Sequence, residues 1–214
     1  MEAQSVKLYI DYKSPYAYLV KDLAYELARD TGLRIDWLPY TLDIPAYLGS
    51  AEVDNAGRVL TENRNSHQWR RVKYSYMDVR REANRRGLTI LGPKKIFDSR
   101  LAHIGMLYAC QQGVFQAYND QVFETFFRRE LDLEDREALA RVLRDCGANT
   151  EGFSEFIDGE GRQALSVIQG EAEANGVFGV PSFLFPDGAL YWGREYLPRI
   201  REKVELEASA RLGG

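Results

Sequence analysis

The stretch that most constrains this chain is Asp11-Tyr12-Lys13-Ser14-Pro15-Tyr16-Ala17-Tyr18. The apolar run Val6-Lys7-Leu8-Tyr9-Ile10 before it reads as a strand, and the pattern from Tyr18 to Ala28 reads as a long helix. Ser14 therefore stands where a strand hands over to a helix, with Pro15 at the first helical position. In an α/β fold this is where ligands meet the chain: the carboxyl end of a strand beside a helix N-terminus. The first N–H groups of such a helix lack internal partners and favour negative charge. A plainer requirement is met by the same residues, because Ser before Pro is an ordinary N-cap signal.

The rest of the chain decides how far to read past the cap. Gly32 stops the first helix, and Leu33 to Pro39 alternates like a second strand, which a right-handed crossover makes parallel to the first. Residues 43–65, with Pro45, Gly49 and Gly57, read as loop with one short turn of helix. An amphipathic helix follows, with Trp69, Val72, Tyr76, Val79 and Ala83 on one stripe and Gly87 at its end. Between 64 and 86 stand eight basic and two acidic residues, so this helix carries a solvated charged face. Asp78 with Arg81 and Glu82 with Arg86 can pair along it. A phosphate or carboxylate site is the sharper alternative. Further helical patterns cover 98–112, 114–129, 134–145, 152–157 and 160–174. A hairpin then joins Ser182-Phe183-Leu184-Phe185 to Ala189-Leu190-Tyr191 through Pro186-Asp187-Gly188. A last helix spans 195–208, and Arg211 to Gly214 read as a frayed tail.

The order is thus β-α-β, a helical block, then α-β-β-α. The two ends form one unit, 1–42 with 158–214, and 43–157 is an all-helical insertion. A net charge of -4 gives no drive towards nucleic acid or an anionic membrane. No apolar run approaches a membrane span, and Met1 to Ser5 carries no signal-peptide pattern, so a cytoplasmic protein is expected. Cys110 and Cys146 form no C-x-x-C and no ligand cluster; they read as small buried or half-buried side chains, and no metal is expected.

This order is that of a thioredoxin-like domain, and specific residues sharpen the likeness. In such folds the first strand ends at C-x-x-C; here Ser14-Pro15-Tyr16-Ala17 fills that slot, with serine and alanine for the two cysteines. Val180-Pro181 before a strand resembles the family's cis-proline loop, and helices inserted between the halves resemble the DsbA type. The chain is most similar to kappa-class glutathione transferases and 2-hydroxychromene-2-carboxylate isomerases. Their D-x-x-S-P-[YF]-[SA]-[YW]-L matches Asp11 to Leu19, their V-F-G-V-P-[TS]-F matches Val177 to Phe183, and their W-G-x-[DE]-x-L matches Trp192 to Leu197.

Thiol–disulfide exchange needs a thiolate, and Ser14 and Ala17 remove both sulfurs. A serine nucleophile would need a base; Lys13 is adjacent but reads as turned away. Donation from the Ser14 hydroxyl to a ligand's sulfur is the better role. The resemblance implies that this sulfur is glutathione's, with the main chain of Val180, beside Pro181, pairing with its cysteinyl unit. It implies that Trp192, Gly193, Arg194 and Glu195 hold the γ-glutamyl end. Glu195 stands for the family's aspartate, and Arg194 departs from a small polar residue: it can bind the ligand's carboxylate or block it. For the electrophile, Asn63-Arg64 resembles a family pair, and Phe97 before Asp98-Ser99-Arg100 sits where a phenol is usual. Tyr40, His67, Trp69 and Tyr74 are further candidates to line an aromatic cleft. The resemblance implies a glutathione-dependent isomerase or transferase acting on an unsaturated or aromatic small molecule, as a homodimer. The alternative is a DsbA-like binding or redox-accessory protein without catalysis.

Overall fold

The computed structural model describes residues 4–212, with no account of the side chains of Arg211 and Leu212. Met1 to Ala3, in the stretch read as free of a signal, and Gly213-Gly214 of the tail lie outside the described residues. The chain divides into two compact units: one runs up to Tyr40 and resumes at Val167, and the other is Thr41–Ser166.

The first unit opens with β1 (Ser5–Ile10), α1 (Pro15–Thr31) and β2 (Arg34–Pro39). β1 and β2 are parallel, in register from Ser5 beside Arg34 to Ile10 beside Pro39. α1 starts a turn before the apolar pattern does, because Ser14 caps it and Pro15 has no N–H to leave unsatisfied. Leu19, Val20, Ala24 and Leu27 make its buried face. Leu8 and Ile10 of β1 are fully buried, and each side chain of this kind contributes about 1.5–3 kcal/mol when withdrawn from water.

The second unit holds α2 (Ile44–Leu48), β3 (Ala51–Val53), β4 (Val59–Glu62), α3 (Ser66–Arg85), α4 (Arg100–Gln111), α5 (Phe115–Phe127), α6 (Arg136–Asp145) and α7 (Phe153–Asp158). The stretch read as loop, 43–65, contains the turn of helix α2 and also the antiparallel pair β3–β4, so the insertion is not helical throughout. The pair left no trace in the apolar pattern because both apolar residues of β4, Val59 and Leu60, are exposed. α3 starts at a capping box in which Asn65 and Gln68 exchange hydrogen bonds of 2.9 Å. Of its apolar stripe, Val79 and Ala83 are buried, while Trp69, Val72 and Tyr76 are half-buried. Glu82 lies 3.8 Å from Arg85. Cys110 is exposed and Cys146 half-buried, so the expected cover over Cys110 is absent: it sits on the outer face of the last turn of α4.

α8 (Glu160–Ala174) begins in the second unit and ends in the first. The sequence places the return at 158; the division falls inside α8, at Val167. β5 (Ser182–Leu184), β6 (Leu190–Trp192), a 3-10 turn at Arg194–Tyr196 and α9 (Leu197–Leu212) complete the first unit. Its sheet has the order β2-β1-β5-β6, with β5 antiparallel to β1 and β6 antiparallel to β5. The hairpin turn is held by Gly188 N–H donating to Phe185 O at 3.0 Å and by Asp187, whose carboxylate takes Ala189 N–H at 3.0 Å and Lys203 Nζ at 2.6 Å. Among the described residues no helix is long and apolar enough to cross a membrane.

Candidate functional site

The sheet's topology gathers most of the predicted residues at one end. β1 runs towards Ile10; β5 runs against it and so begins at that end; β6 runs against β5 and so finishes there. The exits and entrance of these three strands are Asp11–Ser14, Val180–Pro181 and Trp192–Glu195. Tyr9 pairs with Ser182, Ser182 pairs with Trp192, and Gly193 N–H donates to Pro181 O at 2.9 Å. The Val180–Pro181 peptide bond is cis, and Ser182 Oγ–H donates to Gly179 O at 2.7 Å across that loop.

Ser14 is the centre of this end. It is 5% exposed, its N–H donates to Asp11 O at 2.9 Å, and its carbonyl takes Tyr18 N–H at 3.1 Å. Its Oγ accepts from Ala17 N–H at 3.3 Å. A hydroxyl is one donor and two acceptors. Capping uses one acceptor, and among the described residues the hydroxyl proton donates to nothing. Lys13 is buried with its Nζ 3.3 Å from Asp11 Oδ2, both side chains almost without exposure. The lysine is therefore bound to Asp11, and the same carboxylate takes Lys13 N–H at 3.1 Å.

On the other side, Arg194 is half-buried with its guanidinium carbon 5.6 Å from the Tyr16 ring, so it lies against the first turn of α1. Glu195 is exposed, and its carboxylate folds back over Gly193, where a Cβ would lie 2.5 Å from Oε2. Gly193, at φ 110°, takes a backbone conformation that L side chains rarely adopt. Trp192 is 48% exposed and meets Phe178, 63% exposed, at 4.9 Å between ring centres. Tyr40, at the end of β2, is buried, and its phenol is pushed up by that burial and then by Glu173.

The remaining predicted residues belong to the second unit. Asn63 and Arg64 flank Gly49: Asn63 Oδ1 accepts Ser50 N–H at 2.5 Å, and Arg64 Nε donates to Leu48 O at 3.0 Å. Arg64 also lies 5.0 Å over the Trp69 ring, whose N–H donates to Glu62 at 2.7 Å. Tyr74 and His67 are exposed on α3. Phe97 packs edge-on against Phe126 at 5.5 Å and carries Lys95 Nζ at 4.9 Å. No hydrogen bond or ring contact joins Tyr74 or Phe97 to the Asn63–Arg64 corner among the described residues. Nor does any group of three or more His, Cys, Asp or Glu there suit a metal ion.

Three parts of the Ser14 end escaped the sequence reading: the Asp11–Lys13 pair, the Ser182 hydrogen bond and Tyr16 beneath Arg194. Only the first left a signal, an acid and a base two residues apart directly before the cap.

A capped strand–helix junction, an X-Pro loop entering the adjacent antiparallel strand and the order β-α-β…β-β-α define a thioredoxin-like protein. It lacks the usual cysteine pair at this end, since both cysteines lie in the second unit. The chain belongs to the DSBA-like thioredoxin domain family, whose model matches residues 5–205. It is 27% identical over 200 residues to a 2-hydroxychromene-2-carboxylate isomerase of Sphingobium xenophagum, covering 91% of this chain and 94% of that one. To the enzyme of the same name from Pseudomonas putida it is 29% identical over 198 residues, covering 90% of each. A solved 2-hydroxychromene-2-carboxylate isomerase shares the fold with a TM-score of 0.76, 22% identity and coverage of 98% of both chains. So does the cytosolic disulfide reductase DsbM of Pseudomonas aeruginosa, solved with GSH, at 0.62 and 16% identity over 98% of this chain and 100% of that one.

Proposed function

We propose that this chain is a glutathione-dependent enzyme of the 2-hydroxychromene-2-carboxylate isomerase kind. The observation that carries the reading is the uncommitted proton of the Ser14 hydroxyl at the N-terminus of α1. Bound glutathione supplies a thiolate able to add reversibly to an unsaturated or aromatic electrophile; release after bond rotation gives isomerisation, and retention gives transfer. Ser14 Oγ–H donates to that sulfur and holds it in the charged form, helped by the positive end of the α1 dipole. A hydrogen bond to a charged group contributes about 1.5–3 kcal/mol, and one pKa unit corresponds to about 1.4 kcal/mol, so one to two units of depression are within reach. The main chain of Val180, beside Pro181, pairs with the cysteinyl unit, and Trp192, Gly193 and Glu195 take the γ-glutamyl end, with Glu195 facing its ammonium. Arg194, which lies against Tyr16, is assigned to a glutathione carboxylate. Asn63, Arg64, Tyr74 and Phe97 are the residues assigned to the electrophile. The relatives' names and the GSH complex of DsbM support the ligand and reaction class. The enzyme acts as a homodimer in the cytoplasm on a small molecule.

The test is calorimetric titration with glutathione, together with thiolate absorbance across a pH series, for the parent protein and Ser14→Ala. The expected result is a bound thiol one to two units below its free value, and a loss of roughly 10- to 100-fold in turnover of 2-hydroxychromene-2-carboxylate in the variant. Undiminished turnover in Ser14→Ala, or a parent protein that takes up no glutathione, overturns the reading and leaves the non-catalytic alternative.

A further inference from the structure

Among the described residues, six helices of ten residues or more stop at a residue with positive φ, and five of those stops are glycine: Gly32, Gly87, Gly113, Gly147 and Gly176. The sixth, after α5, is Arg129 at φ 65°, the single non-glycine residue with positive φ among those described. The stop itself is ordinary, with Arg129 N–H on Phe126 O at 2.9 Å and Glu130 N–H on Thr125 O at 2.8 Å. Glycine would make it with no steric cost, so the backbone gives no reason for arginine.

The guanidinium gives one. Arg129 Nε donates to Gly92 O at 2.7 Å. From α3, Arg80 Nε donates to Ile90 O at 3.0 Å, two residues back along the same segment. A Cβ on Gly92 would lie 3.9 Å from Arg80 Nη2 and 3.7 Å from the Tyr76 ring, so two arginines and one phenol converge on Gly92. Arg80 also lies over that ring at 5.4 Å. Each arginine spends its Nε on the main chain, which orients its two terminal nitrogens, and neither has a carboxylate within ion-pair distance among the described residues. The Tyr76 hydroxyl makes no hydrogen bond there either. Its pKa is pushed up to about 12 by the packing around it, against the pull of Arg80, Arg64 and Arg129, so it stays a donor at neutral pH.

We propose that Arg80, Arg129 and Tyr76 form a binding site for an oxyanion, the carboxylate or phosphate group of a small molecule. Fixed guanidinium forks match the paired oxygens of such groups, and a protonated phenol adds a neutral donor. The site lies wholly within the second unit and does not depend on the role of Ser14.

Binding is measured by calorimetry and thermal shift with inorganic phosphate and, separately, benzoate, against sodium chloride of equal ionic strength. The proteins are the parent, Arg129→Gly, Arg80→Gln and, as a control, Arg81→Gln, an exposed neighbour on α3. Saturable binding of one probe by the parent and the control, weakened tenfold or more in Arg129→Gly and Arg80→Gln, is the expected result. Whichever probe binds more tightly names the source of the oxyanion. Arg129→Gly keeps the helix stop, so it is expected to melt at or above the parent in anion-free buffer while losing the anion-induced rise. No saturable binding of either probe overturns the proposal. So does an Arg129→Gly protein that melts lower and still gains the parent's full rise with anion, because the guanidinium is then only a structural cap.

Discussion

Asp11→Asn is expected to destabilise the protein by about 3–5 kcal/mol, the cost of leaving one member of a buried ion pair without its partner. The substitution barely changes shape. Asparagine can still accept Lys13 N–H through Oδ1, as Asp11 does at 3.1 Å. What it removes is the negative charge 3.3 Å from a Lys13 ammonium whose side chain is only 4% exposed. Asp11 also holds the turn that positions Ser14, because Ser14 N–H donates to Asp11 O. Lys13→Met is expected to be costly for the mirror reason. The double variant Asp11→Asn/Lys13→Met is expected to cost less than either single change, since it removes both charges together. Denaturant unfolding of the four proteins measures this. Simple additivity of the two single costs sinks the idea that the pair holds the loop.

The second large effect lies in the other unit. Gly105→Ala, in the middle of α4, would gain up to about 1 kcal/mol on helix propensity alone. Here the sign reverses. A Cβ at 105 runs into the Tyr118 hydroxyl oxygen and lies 2.8 Å from Tyr118 Cζ. Tyr118 cannot step aside, being fully buried with its O–H donating to Ala102 O at 2.9 Å. Overpacking costs about 1–3 kcal/mol, and a buried phenol and carbonyl left unpaired cost about 1–3 more. The net expectation is a loss of roughly 2–4 kcal/mol, a drop in melting temperature on the order of 5–15 °C for a chain of this size. Gly105→Ala/Tyr118→Phe is expected to recover part of it by removing the colliding oxygen. An unchanged or raised melting temperature in Gly105→Ala contradicts the close approach.

Much of the first unit was legible because its signals are local. Val6 to Ile10, Pro15, Gly32 and Pro186-Asp187-Gly188 each announce a strand, a start, a stop or a turn from their own chemistry. Ser14 read as a cap, and it is one; its spare proton is a property of the folded junction that no pattern encodes. The β3–β4 pair was invisible since neither strand buries an apolar face. The spacing places Tyr76 on the same α3 stripe as the buried Val79 and Ala83, yet it is half-buried beside Arg80. That difference depends on residues 90–92, which reach it from outside the helix. Nothing in the sequence pattern marks Arg129, because its φ sets it apart only in the folded chain. Opposite charges two residues apart, as at Asp11 and Lys13, are usually solvated, and burial alone makes this pair expensive to break.

The sheet order β2-β1-β5-β6 has a consequence for synthesis. β1 meets β2 as soon as Pro39 is made, but its other edge waits for Ser182–Leu184, beyond the whole second unit. At ~5–20 residues per second that delay is on the order of ten seconds. Throughout it, one hydrogen-bonding edge of β1 is open to any extended segment nearby. The nascent β-α-β piece is thus a stage open to mispairing, and the synthesis of Ser182–Leu184 closes that window.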